Sequence, residues 1–107
     1  MMIRCYRKLY ISEKLREKQF SIIKDLTEGK YSPFLYLITP AKSAQNQLEF
    51  FTASMLHQDV YQQDVLWIIG LADSYDAAAE LVRKITKDVV KTTGGTDIKK
   101  YFMAELQ

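Results

Sequence analysis

The stretch Val65-Leu66-Trp67-Ile68-Ile69-Gly70-Leu71-Ala72-Asp73-Ser74-Tyr75 decides the fold. Its first five residues are an unbroken apolar run, too short for a helix and the right length for a strand buried on both faces. Gly70 reads as the break, and Gly70–Tyr75 as a tight turn. From Tyr75 to Lys91 the spacing changes to that of a helix, with Ala78, Leu81, Val82, Ile85 and Val89 on one stripe. Ser74 or Asp73 caps it. Asp76 and Glu80 near its start, and Arg83, Lys84, Lys87 and Lys91 toward its end, match the helix dipole. Glu80 and Lys84 stand in the favoured i,i+4 order. Thr92-Thr93-Gly94-Gly95 stops the helix.

Outward from this unit, the same strand–helix alternation recurs. Residues 3–11 have period two. Ile3, Cys5, Leu9 and Ile11 share one face, with Arg7 as the exception, and Arg4, Tyr6, Lys8 and Tyr10 share the other. One wet face predicts a half-buried strand at a sheet edge. Ser12 and Glu13 then open a helix over about 12–28 with Leu15, Gln19, Ile22, Ile23 and Leu26 inward, and Gly29 and Pro33 end it. Phe34–Thr39 is apolar on both faces and predicts an interior strand that stops at Pro40.

Asn46 with Glu49 resembles a capping box, and Leu48, Phe51, Thr52, Met55 and Leu56 fit a second helix. Phe50 and Ala53 widen its apolar arc, so Phe50 is buried either within the protein or by a second copy. His57–Gln63 reads as a loop. Ile98, Tyr101, Phe102 and Leu106 suit a short final helix, and a strand through Lys100–Met103 is the alternative.

The alternation predicts a single α/β domain over residues 1–107. Its sheet is mainly parallel and three-stranded, or four-stranded if the tail joins, and is packed by helices. In such a sheet the loops after the strands share one rim, where ligands bind. Lys42, Ser43 and Asn46 after the second strand, and Asp73 and Ser74 after the third, are therefore the candidate binding residues. Two helix starts at that rim would favour an anion, although Asp73 suits a hydroxyl or amine. The bland alternative makes Asn46 and Ser74 helix caps and the rest turn.

Other classes find little support. No glycine pattern matches a dinucleotide fold or P-loop. One histidine and one cysteine cannot furnish a structural zinc site alone. No metal or other cofactor is expected, and no catalytic motif is present. Cys5 reads as a small buried apolar residue and His57 as a helix-end residue. No signal peptide and no membrane span is expected, so the expected location is cytoplasmic. The net charge of +2 does not by itself imply nucleic acid. Its distribution is more informative. Residues 1–30 carry eight basic and four acidic side chains, whereas Ser43–Val82 has no Lys or Arg and six acids. Such segregation reads as separately solvated faces with helix-end effects, or as self-complementary surfaces that could pair two protomers. Tyr6 and Tyr10 among Arg4, Arg7 and Lys8 resemble a single-strand binding surface, yet also the outer face of an edge strand. The expectation is a small interaction or regulatory protein without chemistry of its own, self-associating as a homodimer. The alternative is a small-molecule domain or enzyme that binds an anion at the rim.

Overall fold

The computed structural model describes residues 1–105. Among them are four strands and three α-helices: β1 (Met2–Ile11), α1 (Gln19–Thr27), β2 (Tyr36–Pro40), β3 (Leu48–Thr52), β4 (Val65–Ala72), α2 (Tyr75–Thr93) and α3 (Ile98–Glu105). The strands form one mixed sheet in the order β1-β4-β2-β3. β4 pairs parallel with β1 and antiparallel with β2, and β2 pairs antiparallel with β3.

The central place of β4 follows from its composition. Leu66, Ile68, Ile69, Leu71 and Ala72 are all fully buried. A strand with apolar side chains on both faces is stable only where both faces are covered. One face packs Leu26, Leu35, Leu37, Ala53, Leu56, Leu66, Ile68 and Leu71 beneath α1 and the 3-10 turn Ala53–His57. The other packs Ile38, Ile69, Ile85, Val89, Ile98 and Phe102 beneath α2 and α3. Gly70 does not break the strand. A Cβ there would lie 3.0 Å from Ile38 Cδ1 and 3.1 Å from the Tyr10 carbonyl, so only glycine lets the three strands close together.

The mainly parallel sheet and the strict alternation are therefore corrected. The cause is the segment Leu48–Thr52, which is a strand and not a helix. Its neighbours Phe50 and Phe51 pack on opposite faces of the sheet. Two covered faces make a strand look apolar around a wide arc, which imitates a buried helix. Phenylalanine and threonine also favour the pleated backbone. The short connection after Pro40 then returns the chain as a hairpin, and β2 and β3 run antiparallel.

The remaining elements follow the expected lines with local differences. Ser12 precedes a 3-10 turn, Glu13–Lys18, before α1 begins, and makes no side-chain cap. α2 is capped by Ser74, whose Oγ accepts the Ala77 N–H at 3.1 Å. It ends at Gly94 in the left-handed conformation, φ 74°, whose N–H reaches the Val90 carbonyl at 2.7 Å. Glu80 pairs with Arg83 instead of Lys84. The tail is helical, and Ile98 and Phe102 are buried. Leu106, expected on the same helical face, lies outside the described residues.

Candidate functional site

The antiparallel β2 separates the expected rim into two places. Tyr36 stands opposite Ala72 and Ile38 opposite Gly70, so the end of β2 lies beside the start of β4. Lys42, Ser43 and Asn46 are thus at one end of the sheet, and Asp73 and Ser74 at the other. The first three share the β2–β3 turn, and no helix begins there. Ser43 Oγ accepts the Gln45 N–H at 3.1 Å, and the Ser43 carbonyl accepts the Asn46 N–H at 3.4 Å. The Lys42 ammonium donates to the Val60 carbonyl at 2.9 Å. Ser74 is occupied as the α2 cap, and Asp73 borders a groove against α1.

Lys42 does line a cavity of about 240 Å³, with Thr39, Gln63, Trp67, Lys99 and Met103. The Lys99 ammonium donates to the Ser43 carbonyl at 3.0 Å, and its backbone N–H to Gln47 Oε1 at 2.8 Å. Two cations thus tie the turn to its neighbours, each with further protons to donate.

A larger and more unusual feature is the outer side of β1. This strand is ten residues long and lies at the sheet edge. Its pairing with β4 is interrupted: Cys5 stands opposite Ile68, but Tyr10 opposite Gly70. Five steps along β1 therefore match two along β4, which leaves a bulge that carries Arg7 and Lys8 outward. Arg7, the exception in the sequence pattern, was the trace of this bulge. A bulge shifts the phase of the alternation locally, and one misplaced charge records that.

The two faces of β1 otherwise separate as the period-two pattern predicts. Ile3, Cys5, Leu9 and Ile11 pack on the α1 side, and Tyr6 and Tyr10 pack on the α2/α3 side. The tyrosine face is thus partly covered. The Tyr6 ring meets Phe102 edge-on at 5.1 Å and lies parallel to the Tyr10 ring at 6.5 Å. The Tyr10 hydroxyl donates to Asp88 Oδ2 at 2.8 Å. Burial, reinforced by that bond, pushes the Tyr10 phenol well above its usual range. Burial, then the neighbouring Tyr101 hydroxyl, pushes Tyr6 up to about 12. Burial also raises the Cys5 thiol, which works against a thiolate nucleophile.

Two grooves run beside the tyrosines. One, about 280 Å³, is bordered by Lys8, Asp88, Lys91 and Tyr101. The other, about 470 Å³, is bordered by Lys8, Arg16, Lys84 and Asp88. Four cations thus border the two grooves together with one carboxylate, and that carboxylate holds Tyr10. Among the described residues, no three His, Cys, Asp or Glu side chains converge as metal ligands would. No helix of the described residues is long and apolar enough to cross a membrane.

No family description matches the chain, no curated protein matches its sequence, and no solved structure matches its fold.

Proposed function

We propose that the protein is a small interaction module without chemistry of its own, and that it works by accepting a further strand on the edge of β1 that no strand of the described residues covers. The observation that carries this reading is the backbone of that edge. The Met2 N–H donates to the Asp64 carbonyl at 2.8 Å, and the Ser12 N–H to the Leu71 carbonyl at 2.9 Å. In a ladder, alternate residues bond to the same neighbour. Ile3, Cys5 and Ile11 therefore turn their N–H and C=O groups away from β4. Unpaired groups in a row are a template for strand addition.

A second copy is one occupant of that edge, although this homodimer pairs basic strand with basic strand and is not the complementary basic-to-acidic pairing that the charge segregation suggests. Phe50 does not contribute to it, because its ring packs on Tyr75 at 5.1 Å and on Tyr36 at 6.2 Å within the chain. Antiparallel pairing of two β1 edges sets Arg4, Arg7 and Lys8 of both copies near one another, and like charges across a ladder are unfavourable. Self-association by this route is weak at low salt and strengthens as salt screens the cations. Sedimentation velocity over a wide concentration range, at low and high salt, tests it. A strict monomer at the highest concentration in high salt would count against the homodimer.

The cavity beside Lys42 and Lys99 supports a second reading, a site for a small anion. It predicts that phosphate or a small carboxylate raises the thermal midpoint, and that Lys42→Ala with Lys99→Ala removes the effect. An unchanged response in that double variant would end this reading.

A further inference from the structure

We propose that the occupant selected by the β1 edge is an extended segment of another protein, acidic at alternate positions on the side that faces α2. This rests on the strand-addition reading and names its partner. The argument is electrostatic and geometric. A strand added outside β1 continues the pleat, so every second side chain of the guest falls on the tyrosine side of the sheet. There it meets Lys8 of β1, with Lys84 and Lys91 of α2 and Arg16 bordering the same grooves. These cations are exposed, and neither Lys8, Lys84, Lys91 nor Arg16 is in an ion pair with a described residue. Asp88, the carboxylate of these two grooves, is held by Tyr10, and Glu105 lines the neighbouring groove beside Ile3 and Cys5 together with Arg4 and Arg7.

The same charges disfavour the other occupants. A second β1 brings its own Arg4, Arg7 and Lys8. A neutral strand gains the ladder bonds but leaves the cations uncompensated. Single-stranded nucleic acid would satisfy the cations, but it needs aromatic faces for its bases. The Tyr6 and Tyr10 rings are packed against the core beneath α2 and α3, with Tyr6 on Phe102, and the Tyr10 hydroxyl is fixed on Asp88. An acidic strand uses both features of the edge: the outward amides of Ile3 and Cys5 for the ladder, and the lysines for charge.

The test is fluorescence anisotropy with the whole protein and four labelled probes: a short peptide alternating glutamate and valine, its lysine–valine and serine–valine counterparts, and oligothymidylate. The expected result is that the glutamate peptide binds best and weakens as salt rises. Lys8→Glu with Lys91→Glu should weaken it by about tenfold or more, an effect within the range for several charge pairs. Cys5→Pro removes an outward amide and should abolish binding. A glutamate peptide N-methylated on its ladder-facing amides should fail in the same way without altering the protein. Equal binding of the serine–valine peptide would overturn the acidic selection while leaving strand addition intact. Full binding of the N-methylated peptide would overturn strand addition itself. Preferential binding of oligothymidylate would overturn the proposal in favour of nucleic acid. A protein that stays monomeric yet binds the glutamate peptide at β1 supports this inference and removes only the homodimer.

Discussion

The two edges of the sheet are built oppositely. β3 is five residues long, and every one of its side chains is half-buried. Phe50 and Phe51 hold it from both faces, through Tyr75 on one side and Tyr61 on the other. β1 is twice as long and bulged, with exposed cations at Arg4, Arg7 and Lys8. A short edge offers few ladder bonds to a guest. A long edge would invite any strand, and bulges and charges are the usual means of restricting it. The difference teaches that β3 closes the sheet by brevity, whereas β1 is a long, bulged and basic edge, the one on which a guest of opposite charge is proposed.

The most drastic way to break this comparison is to remove what supports β1. Phe102 is 1% exposed and backs the Tyr6 ring. Phe102→Ala should cost about 3–5 kcal/mol in denaturant unfolding. A much smaller loss would contradict the packing of this ring against Tyr6 and the α2/α3 core. Gly70→Ala attacks the same strand from its inner side. The new methyl group meets Ile38 and the Tyr10 carbonyl, and a destabilisation of about 1–3 kcal/mol is expected.

Smaller effects sharpen the account. Ser74→Ala removes the α2 cap and should cost about 1 kcal/mol in the same unfolding experiment, with no effect on binding at β1. Tyr10→Phe deletes the bond to Asp88 and should cost about 0.5–1.5 kcal/mol. It also frees a carboxylate among the lysines, so the glutamate peptide should bind less well. The tyrosines set a pH dependence whose sign is fixed. Tyr6 ionises near 10 when unexceptional and at about 12 in the fold, and Tyr10 is shifted in the same direction. The fold thus favours the neutral phenols. Their contribution is complete below pH 10 and is lost as the pH rises through 12. The tyrosine contribution to the unfolding midpoint should be level across neutral pH and fall in that window. The double variant Tyr6→Phe, Tyr10→Phe should flatten that part of the decline.

Much of this was legible in the residues. The β4–α2 unit was, because an apolar run and a capped amphipathic helix each carry a local signal that packing reinforces. The alternation of Ile3 and Cys5 against Tyr6 and Tyr10 was also legible. Leu48–Thr52 was not. Its apolar residues satisfy helical spacing and strand alternation together, and only the hairpin with β2 decides between them. The candidate rim depended on that one segment. Because the extra strand turns β2 antiparallel to β4, Lys42, Ser43 and Asn46 part from Asp73 and Ser74; Ser74 is the cap that was expected, but Asn46 lies in the β2–β3 turn and caps no helix. The bulge in β1 showed itself only as the misplaced Arg7, whereas the place of β1 at the sheet edge was predicted from its one wet face and agrees with the strand order.

The central claim concerns the amides of one strand, and hydrogen exchange read residue by residue by NMR tests it most directly. In the free protein, Met2 and Arg4 bond toward β4 while Ile3 and Cys5 face outward, so the first pair should exchange more slowly than the second. Adding the glutamate–valine peptide should protect Ile3 and Cys5 strongly and leave Met2 and Arg4 little changed. Protection that appears around Lys42 and Lys99 instead, or no new protection at β1 when peptide is bound, would contradict the account.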